Sequence, residues 1–285
     1  MDPVVANKKE QRIERIREKA KLSRLEAIRL ISLAGSGHYG SSFSCAEIFA
    51  TLYYHVMNYR PTDPKWPERD RFVMGKGHAA VGLYPLLADV GFFPQTLLDT
   101  YTSLGSPFGD HPDMNKIPGV DFSSGSLGHG ISVSVGMALG SRLDGYRNRV
   151  FCLLGDGELQ EGQVWEAAMS AGQFRLGNLV GVLDNNKVTV DGFTKELMSI
   201  HPIREKWESF GWRVVEVDGH DVEMLMDTFD QLPDPSSNQP TLVICDTVSG
   251  KGVSWMENTF EWHVANLAEA DIEQAVAEIQ RGDKS

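Results

Sequence analysis

Apolar residues along this 285-residue chain fall into two patterns. Short unbroken runs read as buried strands: Arg71 to Met74, Arg149 to Leu154, Leu179 to Leu183, Arg213 to Val217 and Thr241 to Cys245. Between them, apolar positions recur at three- and four-residue steps, the period of a helix with one buried face. Ile13, Ile16, Ala20, Leu22 and Leu25 mark a helix over 8–33. Val164, Trp165, Ala168, Ala171 and Phe174 mark another over 161–176. Further helices are predicted over 44–57, 79–90, 131–143, 222–229 and 267–280. Ser44 stands as the cap of the 44–57 helix, with Glu47 three residues later as its partner. Strands alternating with helices predict an α/β fold of three layers, α/β/α, around a mainly parallel sheet. The proline- and serine-rich stretch 232–240 reads as a loop, and no repeat interrupts the chain. Residues 1–285 are therefore expected to form one domain, with a helical arm at about 8–33 that packs against it.

Charge narrows the function classes. The net charge is −12 and the pI about 5.1, which argues against a nucleic-acid surface but leaves room for a local basic pocket that holds sugar phosphates. Cys45, Cys152 and Cys245 have no paired spacing, so reduced thiols in a cytoplasmic protein are expected. No apolar run approaches membrane-spanning length, and 1–18 lacks the apolar core of a signal peptide.

The candidate chemistry centres on 155–188. A strand ends in Gly155-Asp156-Gly157, a helix follows, and the next strand ends in Asp184-Asn185-Asn186-Lys187-Val188. A strand–helix–strand unit places both ends at the carboxyl edge of one parallel sheet, where open α/β sheets bind ligands. A Mg²⁺-bound diphosphate suits this set. Asp156 offers a carboxylate oxygen, Asn186 an amide oxygen and Val188 a backbone carbonyl, and a hard cation takes oxygen ligands. Gly155 and Gly157 let the backbone approach phosphates. Either fragment alone reads as an ordinary turn or loop; at matching strand ends, the two together favour a ligand site.

Gly-Asp-Gly followed after about 27 residues by Asn-Asn resembles the thiamine diphosphate signature. The run Gly155 to Ala167 is similar to transketolases in particular. Other motifs follow in that family's order: Ser36-Gly37-His38, Gly77-His78, His111-Pro112, the turn Ser124 to Gly130, and Ser249 to Glu257 continuing to Trp262-His263. Four departures stand out. Asp110 intrudes before His111, Ser126 and His129 replace a proline and a glutamine, Ser249 replaces a lysine, and Val264-Ala265-Asn266 follows His263.

The resemblance implies the thiamine diphosphate-binding fold, in its diphosphate-binding half, and ketol transfer with thiamine diphosphate and Mg²⁺, for which Ca²⁺ or Mn²⁺ can substitute. By motif match, His38 and His263 handle donor and acceptor hydroxyls, His111 the transferred fragment's hydroxyl, and His78 the diphosphate and the same proton transfers, so all four count as catalytic. Gly125 and Leu127 give backbone contacts to the cofactor beside Asp156, Gly157 and Asn186, and Glu161 lies at the subunit contact. The pyrimidine-binding domain of the family is not expected within this sequence. A separate C-terminal subunit should carry it, in an α₂β₂ assembly acting on sugar phosphates, with neither nucleic acid nor membrane as partner. The alternatives are the α subunit of a 2-oxoacid dehydrogenase and a non-catalytic cofactor-binding subunit. A nucleotide-binding α/β protein is disfavoured, since no Gly-x-Gly-x-x-Gly follows the first strand.

Overall fold

Five strands form one parallel sheet in a computed structural model that describes residues 3–282. Residues 1–2 and 283–285, the outer ends of the span read above as one domain, lie outside the described residues. The strands are β1 (Arg71–Met74), β2 (Val150–Gly155), β3 (Leu179–Asn185), β4 (Arg213–Asp218) and β5 (Thr241–Asp246), in spatial order β1-β2-β3-β5-β4. Alternate side chains sort into two cores, as the two-residue period of a strand requires. Phe151, Leu153, Val180, Val182, Val243 and Cys245 face one core; Val150, Cys152, Leu154, Leu179, Leu183 and Leu242 face the other. Burial on both faces is why these strands read as continuous apolar runs.

Helices cover both faces. Against the first core lie α1 (Pro3–Ala34), α2 (Tyr39–Ser44), α3 (Ala46–Thr51), α4 (Ala80–Asp89), α9 (Val222–Asp230) and α10 (Glu269–Arg281). Against the second lie α5 (His129–Leu143), α6 (Gly162–Gln173) and α8 (Ile203–Ser209), while the single turn α7 (Thr194–Leu197) follows β3. The three-layer α/β/α reading holds. Helices α7 and α8 are too short for their sequences to show a period.

Two local expectations are corrected. Ser44 caps nothing: the helical segment starts after His38 and Ser44 lies at the end of α2, its hydroxyl donating to Asp184 at 2.7 Å. The start is set by tertiary bonds instead. Gly37 and Ala265 exchange backbone hydrogen bonds at 3.1 Å, and the Gly40 N–H donates to the Trp262 carbonyl at 3.2 Å. The buried stripe of α1 also differs. Leu22 and Leu25 pack at its margin, while its centre passes through Ser23 and Arg24. Arg24 grips Glu47 at 2.6 and 2.7 Å, and His220 meets the same carboxylate at 2.9 Å. Burial opposes charge on Glu47, yet Arg24 and His220 outweigh it and hold the carboxyl down at about 2. An ion pair thus sits where a capping partner was expected.

Candidate active site

The carboxyl ends of β1, β2 and β3 meet at a cleft of about 370 Å³, which His263, well beyond β5, also lines. Glu158 organises its glycine turns. This side chain is 1% exposed and accepts from the Gly128 N–H at 2.8 Å and the Gly155 N–H at 3.1 Å. A Cβ on Gly75 would sit 2.6 Å from the Glu158 carboxylate. One buried acid therefore ties the loop after β1, the turn before α5 and the end of β2. Burial, its largest influence, pushes that carboxyl up to about 7.

Asp184 plays the matching part at the end of β3. It accepts from Ser44 Oγ, from Asn186 Nδ2 at 2.9 Å, from Thr247 Oγ1 and from the buried Lys76 ammonium. Burial opposes its charge, but Lys76 with the Thr247 and Ser44 hydroxyls together outweigh burial and keep the carboxyl below its ordinary value. These bonds also orient Asn186. Its Nδ2 is held inward by Asp184 and by Ser44 at 3.2 Å, so its Oδ1 turns outward, where it receives the Val188 N–H at 3.0 Å. Asp156 lies past the neighbouring strand, 2% exposed, with the Thr194 hydroxyl at 3.2 Å. Burial first, and then the charge of Asp184, raise its carboxyl to about 6.

Four histidines lie around this floor. His38 immediately precedes α2, His78 lies in the turn that opens α4, His111 lies in the loop before α5, and His263 follows β5. The ring of His38 is 4.9 Å from that of His78, 5.7 Å from His263 and 6.3 Å from His111; His78 and His263 are 5.4 Å apart. Burial, with help from Lys76 and the neighbouring imidazoles, drives His78 well below its ordinary value, and burial with His38 and Lys76 drives His263 down to about 4. Both are neutral near pH 7, so each can accept or donate a proton without first losing one.

The chain matches the family model described as transketolase, thiamine diphosphate binding domain, over residues 16–281. The chain belongs to the transketolase family. It is 40% identical to the 6-deoxy-6-sulfo-D-fructose transketolase subunit SqwG of Clostridium sp. (strain MSTE9), over 95% of this chain and 98% of that one. It is 38% identical to an apulose-4-phosphate transketolase subunit from Phocaeicola vulgatus, over 94% of both chains. Transketolase from Pichia stipitis in complex with sedoheptulose 7-phosphate superposes with a TM-score of 0.88 at 32% identity, covering 93% of this chain but only 40% of that one. The chain thus spans less than half of a one-chain transketolase and nearly all of its two-chain relatives. It is a thiamine diphosphate-binding subunit of a split transketolase.

Within this transketolase subunit, His38, His78, His111, Gly125, Leu127, Asp156, Gly157, Glu161, Asn186, Val188 and His263 all line the one cleft. The donor set suits a cation bound together with a diphosphate. Asp156 is a buried carboxyl short of cationic partners, and Asn186 is oriented oxygen-outward. Among the described residues, no three His, Cys, Asp or Glu side chains cluster closely enough to hold a metal, so ligand oxygens would complete an octahedral shell. The floor also has an unmet donor: Ser41 lines the cleft, and its buried hydroxyl has no hydrogen-bond partner.

Motif matching assigns no role to Lys76, Glu158 or Asp184. Each nonetheless stands within or beside a motif, in Gly-Lys-Gly-His, Gly-Asp-Gly-Glu and Asp-Asn-Asn. What they share is a charged residue at or just past the carboxyl end of a buried strand, a feature that does not reveal which loops each one bonds. Ser249 is fully buried, with its hydroxyl unpartnered, and a Cβ on Gly40 would approach that oxygen to 2.5 Å. The lysine usual there would have to displace this packing. The altered residues after His263 leave the backbone exchange between Gly37 and Ala265 in place.

His263 should make the fold acid-sensitive. Unfolded, it takes up its proton near 6.5; folded, only near 4. The unfolded chain binds more protons between those values, so the contribution is intact above 6.5 and is lost as pH falls through 4. The loss reaches about 3 kcal/mol. Urea denaturation at pH 7 and pH 4.5 should show a smaller pH-dependent loss for His263→Gln than for the parent chain. Equal losses would mean that His263 does not resist protonation.

Proposed function

We propose that this subunit holds thiamine diphosphate and Mg²⁺ in the cleft. With a partner carrying the pyrimidine-binding domain, it transfers a two-carbon ketol unit from a ketose phosphate to an aldose phosphate. The observation that carries this reading is the set of four histidines facing the Asp156–Asn186 floor: a bare diphosphate site needs no such set, whereas a polyhydroxylated substrate does. When bound, thiamine diphosphate supplies the electron sink that lets a carbon–carbon bond beside a carbonyl break. The Asp156 carboxylate, the Asn186 Oδ1 and the Val188 carbonyl would hold Mg²⁺, which Ca²⁺ or Mn²⁺ can replace. Gly125, Leu127 and Gly157 would lie against the cofactor, with His78 toward its diphosphate.

The histidines move protons at substrate oxygens. His38 and His263 serve the donor and acceptor hydroxyls, and His111 the hydroxyl of the transferred fragment. Catalysis of this kind is worth roughly 10²–10⁴-fold for a well-placed group. Glu161, at the cleft's rim, would meet the partner chain. An α₂β₂ assembly is the closed arrangement we infer, since two copies of each chain related by a twofold axis complete equivalent sites. Three buried free thiols accord with a reducing cytoplasm. Among the described residues, no helix is long and apolar enough to cross a membrane.

The test is an assay of the reconstituted two-chain enzyme with thiamine diphosphate and Mg²⁺. A ketose phosphate with an aldose phosphate should yield the exchanged sugars, and pyruvate should yield no carbon dioxide. Pyruvate decarboxylation without ketol transfer would return the chain to the 2-oxoacid dehydrogenase class. Cofactor binding without either reaction would favour a non-catalytic subunit.

A further inference from the structure

We propose that Asp110 is a positioning residue for His38: its carboxylate fixes the imidazole in the Nδ1–H tautomer and leaves Nε2 for the cleft as a proton acceptor. This rests on the ketol-transfer reading of the cleft and deepens it.

The geometry is specific. His38 Nδ1 lies 3.2 Å from both carboxylate oxygens of Asp110. His38 and His111 line the cleft and Asp110 does not, so the acid stands behind the ring. The loop that carries Asp110 is itself held. Tyr84 donates to the Gly109 carbonyl at 3.0 Å, and Tyr101 donates to Asp110 Oδ1 at 3.4 Å. Burial opposes charge on Asp110, but the hydrogen bond and proximity of His38, together with His111 and the Tyr101 hydroxyl, outweigh it and lower the carboxyl below its ordinary value. An ionised carboxylate only accepts hydrogen bonds, so the proton between the two groups belongs to Nδ1. The other nitrogen is then the acceptor, as in any imidazole whose second nitrogen is tied to a carboxylate.

The arrangement has a use in turnover. A histidine that takes a proton from a substrate hydroxyl becomes an imidazolium, and His78 and His263 crowd it with further imidazoles. Asp110 is the acid placed to stabilise that charge. It also reaches His111, whose Nδ1 lies 3.6 Å from Oδ2, so one carboxylate stands between two of the four histidines. With the carboxylate removed, nothing fixes Nδ1–H, and a free imidazole favours the Nε2–H form. That form presents a donor where an acceptor is needed.

The experiment has two arms. In the first, the full chain is labelled with ¹⁵N-histidine, and long-range ¹H–¹⁵N spectra are recorded at alkaline pH. Comparison with His38→Gln identifies the His38 signals. The parent chain should show Nδ1–H for His38, Asp110→Gly should show Nε2–H, and Asp110→Asn, which keeps an acceptor oxygen, should retain Nδ1–H. In the second, the reconstituted enzyme carrying Asp110→Gly should lose about 10- to 100-fold in kcat with little change in KM for the ketose, the size of loss seen when the hydrogen-bond partner that orients a metal-ligating histidine is removed. Asp110→Asn should recover most of that rate. A parent chain in the Nε2–H form, an Asp110→Gly chain that keeps Nδ1–H, or an Asp110→Gly enzyme as fast as the parent would each overturn the proposal. The spectra need no substrate. If the parent enzyme transfers no ketol unit, the proposed function fails, while the spectra still decide the role of Asp110.

Discussion

Asp156→Ala is expected to abolish the Mg²⁺-dependent part of thiamine diphosphate binding, weakening the reconstituted enzyme's affinity by about 10²–10³-fold. Asp156 is the only charged side chain in the proposed ligand set, and removing one partner of a buried charge pair typically costs about 3–5 kcal/mol. Its raised carboxyl gives a second, opposite signature. Asp156 releases its proton near 3.8 when unfolded and near 6 when folded. The folded chain therefore binds more protons between those values, and stability is lost as pH rises through 6. At neutral pH without ligand, the ionised carboxylate is a burden on the fold that a cation would relieve. Asp156→Ala should thus leave the melting temperature of the free chain unchanged or higher, while losing the rise that cofactor and Mg²⁺ produce. Calorimetry and thermal melts on the same samples measure both. Unchanged cofactor affinity would sink the metal assignment, and a large fall in the free chain's melting temperature would show that Asp156 serves the fold instead.

Strands are the most legible part of this sequence, because a parallel sheet buried on both faces leaves unbroken apolar runs. Arg71–Met74 matches its run at both ends, and the other four strands end at most two residues from where their runs stop. Helix starts are less legible. The sequence around Ser44 carries a good local cap signal, but the chain obeys longer-range bonds from Gly37 and Gly40 to the segment 262–265, which no local pattern encodes. The site is legible through glycine-flanked polar residues, since a histidine or aspartate at a strand end beside glycine has few structural reasons to be there. Its supporting residues are not. Lys76 bonds Asp184 and Glu158 bonds the Gly128 turn, across 108 and 30 residues of chain, and such pairings appear only once the strands are side by side. Asp110 shows the same limit from the other side. In the sequence it interrupts a motif; in space it is the partner of His38.

The isolated chain is expected to show no ketol transfer above background, and to gain it only with a second chain that carries the pyrimidine-binding half. Two transketolase relatives that match this chain nearly end to end, from Clostridium sp. and Phocaeicola vulgatus, are named as subunits, and the one-chain Pichia stipitis structure extends well beyond the matched part. The cleft itself points the same way. Val190 and Leu197 line it yet are 57% and 51% exposed, and Met198 beside them is 62% exposed. Apolar side chains at the lip of a polar cleft are suited to being covered by another surface. Without that wall, a cofactor held in the cleft would have water on one side, and electrostatic contacts with its diphosphate would weaken accordingly. The glutamate that activates the aminopyrimidine is also expected from the partner. The lone chain should therefore bind thiamine diphosphate weakly and turn over nothing. Titrating a chain that carries the pyrimidine-binding half into a fixed amount of this chain, with thiamine diphosphate, Mg²⁺, a ketose phosphate and an aldose phosphate present, should raise transfer until the two chains are equimolar. Light scattering at that point should give the mass of two copies of each chain. Robust transfer by this chain alone would refute the split-site reading, and saturation at another ratio would refute the α₂β₂ assembly.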